Sequence, residues 1–366
     1  MDEDMLARWA RVLVEYSLRI GAGQMVRIAG TELAAPLIRA VYLEVLRKGA
    51  HPFTRVTLDA LEEIFFRHAS DDQITFISEL DRLEVERMDA TLSIDGRWNT
   101  RALTSVDPKR ISRRGEARRP LQQRALQRSA EGALRWCVTQ YPSHAEAQEA
   151  EMSLEEYRDF VAHACALDRE DPVAWWESVA REQARVIARL SGVKTLRIIG
   201  PDIDLTVALE GRTWINAAGE YNFPDGEIFT GPIESATDGH VRFTFPVIFR
   251  GREVQDVRLV FREGRVVEAE AAKGAELLHA MLDLDAGART LGEFAFGLNY
   301  GIQRHSRNVL FDEKIGGTVH MALGAGYPET GSRNVSGLHW DLICDLRRGG
   351  EVLADGTLIY RDGRFV

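Results

Sequence analysis

Three cysteines, Cys137, Cys165 and Cys344, are scattered through 366 residues. No CxxC pair occurs among them, so they suggest neither a disulfide framework nor a thiolate zinc site. Basic charge is in deficit: 46 Lys and Arg against 56 Asp and Glu give a net charge of −10, which argues against a nucleic-acid partner. No segment approaches the about 18 uninterrupted apolar residues of a membrane-spanning helix. The opening MDEDMLARWARVL is acidic and then amphipathic, the reverse of a secretory signal. A soluble cytoplasmic protein is expected. Several catalytic signatures are missing too: there is no HExxH helix, no GxSxG elbow and no HxE…PCxxC set. The GAG at 21–23 precedes a strand rather than linking strand to helix, so it is no dinucleotide site.

In the first half, helix and strand patterns alternate. Residues 4–20 read as an amphipathic helix, 24–30 as a strand, 32–50 as a helix ending at Gly49 and 52–58 as a strand. A helix over 72–87 and a strand over 88–96 follow. This rhythm predicts a parallel sheet covered by helices. The basic run 107–128 has helical spacing and reads as a solvated helix, and 120–192 reads as mostly helical. Beyond about residue 190 the texture becomes β-rich, with Gly, Asp and Pro turns. The expected fold class is α/β. An N-terminal α/β domain over 1–190, with a mainly parallel sheet, precedes a β-rich α+β domain over 191–366 that carries the chemistry.

His51, His68, His144, His163, His279 and His305 stand singly in helices or loops and are read as ordinary residues. The C-terminal half differs. In SGLHWDLICDL, residues 336–346, Leu338, Trp340, Leu342, Cys344 and Leu346 alternate with a face bearing His339, Asp341 and Asp345. In GGTVHMALGAGYPE, residues 316–329, His320 shares its face with Ala322 and Gly324, so something must approach that face closely. Glu227 follows a Pro/Asp/Gly turn, and Glu293 is the lone charge in TLGEFAFGLN. A buried carboxylate costs several kcal/mol unless a cation compensates it. Three carboxylates and two imidazoles without sulfur suit Zn, Mn, Co or Fe; the competing reading is a structural salt-bridge network. Five ligands exceed what one catalytic zinc uses, which points to two divalent ions sharing a carboxylate.

Those segments, with SVDPKRISRRGEARRPL, YPSHAEAQEAEMSLEEYRDFVAHACALD and DLTVALEGRTWINAAGEYNFPDGEIFTGP, resemble the aminopeptidase T family of metalloaminopeptidases, which includes staphylococcal and streptococcal members. The resemblance runs end to end. It implies that Glu227, Glu293, His320, His339 and Asp341 hold metal, and it adds Tyr327 as a catalytic hydroxyl. Glu313 matches a further acidic ligand position, with a longer spacing to His320 than in the longer members. It implies a homodimer with active sites facing an internal cavity, short peptide substrates, and two divalent ions per chain, whether Zn, Co, Mn or Mg. The expected reaction is removal of N-terminal residues by a metal-bound hydroxide, with Glu293 shuttling the proton and Tyr327 stabilising the oxyanion. The alternative is a mononuclear non-haem Fe(II) ring-cleaving dioxygenase on the same scaffold, with His320, His339 and Asp341 as a facial triad.

Overall fold

Strands Met25–Thr31, Ala90–Asp95 and Arg135–Gln140 bury alternate side chains, Val26, Ile28, Leu92, Ile94 and Cys137 among them, whereas strand His51–Thr57 is largely exposed. A computed structural model describes residues 1–249 and 251–366. The chain forms two compact units: Met1–Ala174 with Gly219–Phe223, and Trp175–Ala218 with Pro224–Val366.

The first unit is built on a five-stranded sheet in the order 51–57, 25–31, 90–95, 135–140, 222–223, and every neighbouring pair is parallel. The α/β reading holds, with corrections. Residues 120–192 are mostly helical, as expected, but Arg135–Gln140 interrupts them as an inner strand of this sheet. Its polar Arg135, Thr139 and Gln140 mask a short strand whose Cys137, Thr139 and Gln140 are all buried. Short helices Leu61–His68, Asp71–Thr75 and Glu79–Arg87 follow one another, and the second and third stand where one helix was expected over 72–87. Ser70 and Ser78 start the second and third with reciprocal capping boxes, which end one helix and begin the next. The N-terminal helix Glu3–Arg11 continues as a π-helical turn over Val12–Ser17.

The basic run does form a helix, Pro108–Ala130, capped by Asp107. Its arginines are not simply solvated. Arg110 donates to the carbonyls of Phe66 and Ala69, Arg114 to those of Ile74 and Phe76, and Arg128 to those of Val85 and Met88. Each guanidinium thus satisfies the orphan carbonyls at the end of one of the three short helices.

The second unit contains a nine-stranded sheet and a five-stranded sheet. The five-stranded sheet runs in the order His339–Asp345, Thr318–Gly324, Leu291–Gly297, Glu227–Thr230, Ile215–Ala217, with every pair antiparallel. One face buries Ile228, Phe294, Phe296, Val319, Met321, Leu323, Trp340, Leu342 and Cys344 in the core of this unit. Each such large side chain contributes about 1.5–3 kcal/mol when removed from water. That apolar face fixes the register, and the register decides which residues the other face presents. Among the described residues no helix is long and apolar enough to cross a membrane.

Candidate metal centre

Cross-strand partners in an antiparallel sheet lie on the same face. Glu227 stands opposite Gly297, Ala295 opposite both Phe229 and His320, Ala322 opposite both Glu293 and Asp341, and Gly324 opposite His339. Every large ligand-type side chain therefore has a Gly or Ala as a direct neighbour across the ladder, and the hollow so made holds the polar cluster. Gly324 is required for a second reason: its φ is +100°, and a Cβ there would lie 2.2 Å from the Leu338 carbonyl oxygen. A bulge between Leu291 and Glu293 re-aims the glutamate, and a Cβ on the intervening Gly292 would meet the Ala325 carbonyl oxygen at 2.2 Å.

The structure brings together all six residues read as ligands. Three groupings have ligand atoms within 4.8 Å of one another: Glu227, Glu293 and His320; Glu293, His339 and Asp341; and Glu313, His320 and Asp341. His320 Nε2 lies 3.3 Å from Glu227 Oε2 and 3.5 Å from Glu293 Oε1. His339 Nε2 lies 3.5 Å from Glu293 Oε2 and 3.7 Å from Asp341 Oδ1. The two oxygens of Glu293 thus address the two imidazoles separately. The Ala325 carbonyl, 2.9 Å from His339 Nδ1, fixes that nitrogen as the donor and turns Nε2, the nitrogen a metal ion would take, towards the cluster. Asp345, on the same strand face, turns instead to Arg347 at 2.6 Å.

The electrostatics are those of a site short of positive charge. Burial pushes Glu227 up to about 8 against the opposing pull of Lys314. Burial works against the charged form of His320, yet its hydrogen bond to Glu293 and the charges of Glu227 and Glu293 lift it to about 9. Burial likewise opposes the charge on His339, and Asp341 and Glu293 raise it nonetheless. Protons are being held where anionic groups crowd together. Glu227 Oε2 is also buried with no hydrogen-bond partner, a state that a bound cation would relieve. Carboxylate and imidazole donors, an orphaned buried oxygen and tightly held protons together fit a divalent metal.

Tyr327 sits at the edge of the cluster, 38% exposed, with its ring 5.2 Å from those of Phe229 and His339. Burial and the nearby carboxylates of Glu293 and Asp341 raise its pKa, so the hydroxyl keeps its proton. The loop behind it is pinned. Asn334 donates to the Gly324 and Gly287 carbonyls, and Glu234 accepts from the Arg333 backbone at 2.6 Å.

Sequence reasoning missed three contributors. Lys314 has no exposed surface and donates to Glu227 Oε1 at 2.9 Å and to Glu313. Asp225 is buried, with Oδ1 3.9 Å from the same ammonium. Gln183, in helix Pro172–Leu190, donates to the Glu227 carbonyl at 2.8 Å and to Asn216 and Ala217 on the neighbouring strand. The run Asp-Glu-Lys reads as a surface turn, and nothing in it signals burial. One histidine read as ordinary is not: His305 pairs with Asp312 at 3.0 Å and stacks on Phe245 with ring centres 5.0 Å apart. Asp312 also accepts from Ser306 Oγ at 2.7 Å, which fixes the segment leading into Glu313.

A strand-borne cluster of carboxylates and imidazoles, with a protonated tyrosine at its edge, is the donor set of a metalloenzyme. The chain belongs to the family described as thermophilic metalloprotease (M29), whose model matches residues 2–365. It is 30% identical over 357 residues to aminopeptidase 2 of Geobacillus stearothermophilus, covering 89% of this chain and 84% of that one. It is 27% identical to aminopeptidase T of Thermus thermophilus, covering 88% and 84%. The solved structure of wild-type AmpT from Thermus thermophilus superposes with a TM-score of 0.86 over 99% of both chains at 25% identity. A 2,5-dihydroxypyridine dioxygenase from Pseudomonas putida shares the fold, with a TM-score of 0.60 at 13% identity, covering 100% of this chain and 98% of that one. Family membership makes this chain a metallopeptidase hydrolase, and the dioxygenase alternative is not favoured.

Proposed function

We propose that the chain removes N-terminal residues from short peptides with two divalent ions, held by Glu227, Glu293 and His320 on one side and by Glu293, His339 and Asp341 on the other. The observation that carries the reading is the placement of Glu293, whose two oxygens lie 3.5 Å from His320 Nε2 and 3.5 Å from His339 Nε2. A facial triad for one iron needs neither Glu227 nor Glu293, and both belong to the groupings here. Glu313 joins His320 and Asp341 and supplies a further anionic oxygen.

When bound, two divalent ions supply Lewis acidity: they bring the pKa of a coordinated water towards about 7 and polarise a peptide carbonyl. The side chains do the rest. Glu293 would carry a proton from the attacking water to the leaving amine through whichever of its two oxygens is released from an ion during turnover. Tyr327 donates its hydroxyl proton as a hydrogen bond to the developing oxyanion. The acidic cluster attracts the positively charged α-amine of a peptide. Zn, Co, Mn and Mg all accept this donor set. A homodimer working in the cytoplasm belongs to the same reading. The apolar residues Phe53 and Val56, exposed on the edge strand of the parallel sheet, support the self-association, and light scattering of the purified chain checks it.

Metal analysis combined with a leucine p-nitroanilide assay, with and without chelator, tests the function. Two ions per chain and chelator-sensitive release of nitroaniline are expected. One iron per chain, with oxygen uptake on a hydroxylated pyridine, would overturn it.

A further inference from the structure

Lys314 is the one lysine buried without exposed surface, and it sits inside the candidate metal centre among the described residues. Its ammonium contacts Glu227 Oε1 at 2.9 Å, Glu313, and Asp225 Oδ1 at 3.9 Å. These partners come from two separate segments. The lysine backbone is itself fixed: its carbonyl accepts from the Asn299 backbone at 3.0 Å, and the Asn299 side chain donates to the Asp225 carbonyl at 2.8 Å. Asn299 thus ties the lysine backbone to the backbone of the acidic segment that its ammonium neutralises. With Oε1 of Glu227 engaged by Lys314, the other oxygen, Oε2, is left facing His320 and bonded to nothing.

Charge counting gives the arrangement a purpose. Asp225, Glu227, Glu293, Glu313 and Asp341 make five carboxylates in contact with the lysine or within the ligand groupings. With the donors deprotonated, as metal binding requires, one ammonium leaves four negative charges, the charge of two divalent cations. A buried carboxylate stripped of its counter-charge strongly destabilises a fold. A metalloenzyme that must fold before it meets its metal needs some cation present from the start.

We propose that Lys314 is a positioning residue that acts as a built-in third cation of the centre, holding Glu227 and Glu313 in place in the metal-free chain and setting the residual charge to that of two divalent ions. The inference rests on the metalloenzyme reading above. Lys314 and the metal ions neutralise overlapping carboxylates, so removing the lysine must hurt the metal-free form more than the loaded one. A residue that merely fills space would cost both forms alike.

The experiment compares the full chain with Lys314→Met, which keeps the length of the side chain and drops its charge. Both are stripped with chelator, and Tm is read with and without added Zn2+ or Mn2+. The loss of Tm in Lys314→Met is expected to be about twofold or more larger without ions than with them, because the buried Glu227 and the partly buried Glu313 then lose the counter-charge they share. If Lys314→Met does not fold, the double variant Lys314→Met/Asp225→Asn, which removes one negative charge along with the positive one, is expected to recover a cooperative transition. Equal losses with and without ions, or a double variant no better folded than the single one, overturn this inference while leaving the metal centre intact. A wild-type Tm unmoved by the ions overturns the metal-centre reading and this inference together.

Discussion

Glu227 Oε2 and His320 Nε2 lie 3.3 Å apart, joined by two strands that are not neighbours in the sheet. The glutamate is pushed up to about 8 and the histidine up to about 9. Both groups hold protons more tightly in the folded chain than in water, so near neutral pH the metal-free pocket carries protons that an arriving cation displaces. Binding of Zn2+ or Mn2+ should therefore release protons and strengthen as pH rises. Calorimetry in two buffers of different ionisation heat counts them, and a release of zero refutes the assignment.

Glu293→Gln keeps the shape of the side chain but cannot carry a proton. Turnover should fall by about 10²-fold or more while the fold persists. A kcat near that of wild type, with circular dichroism unchanged, would remove Glu293 from acid/base work.

Tyr327→Phe preserves the ring contacts with Phe229 and His339, 5.2 Å each, and deletes only the hydroxyl. The expected effect is a drop in kcat of about 10²-fold with Tm unchanged. An effect on KM alone would make Tyr327 a binding residue and not an oxyanion donor.

Gly324→Ala places a methyl 2.2 Å from the Leu338 carbonyl oxygen at a φ of +100°. The loss of stability should be about 1–3 kcal/mol, read from the urea midpoint. Because Gly324 faces His339 across the ladder, metal retention after dialysis should fall with it.

Arg128→Met, in the first unit, strips hydrogen bonds from the Val85, Met88 and Ala133 carbonyls. A destabilisation of about 1–3 kcal/mol is expected, with the specific activity of the folded protein unchanged. Chemical denaturation followed by tryptophan fluorescence measures it, and no change in midpoint would return this arginine to the solvated face.

Period-two alternation explains why so much of the site was legible. Leu338, Trp340, Leu342 and Cys344 announce the buried face, so His339 and Asp341 must share the other, and the Ala322 and Gly324 beside His320 announce a hollow. What alternation does not carry is convergence: no pattern tells that Ala322 faces both Glu293 and Asp341, because strand order is a tertiary property. Lys314 was invisible for a different reason. A lysine beside a glutamate is the commonest kind of surface pair, and only the fold shows that it has no exposed surface. In the first unit the capping serine Ser78 was readable as a helix start, yet the helical periodicity running across it suggested one helix over 72–87. Strand Arg135–Gln140 was lost because its polar ends outweigh its short apolar centre.

The clasp around the candidate ions draws on strands Glu227–Thr230, Leu291–Gly297, Thr318–Gly324 and His339–Asp345. During synthesis the first acidic residue leaves the ribosome long before the last, and until then the half-made pocket has no second imidazole to offer. Loading must wait for the closing strand. A chain stalled short of His339 would carry loose carboxylates able to catch stray ions but no seat in which to keep them.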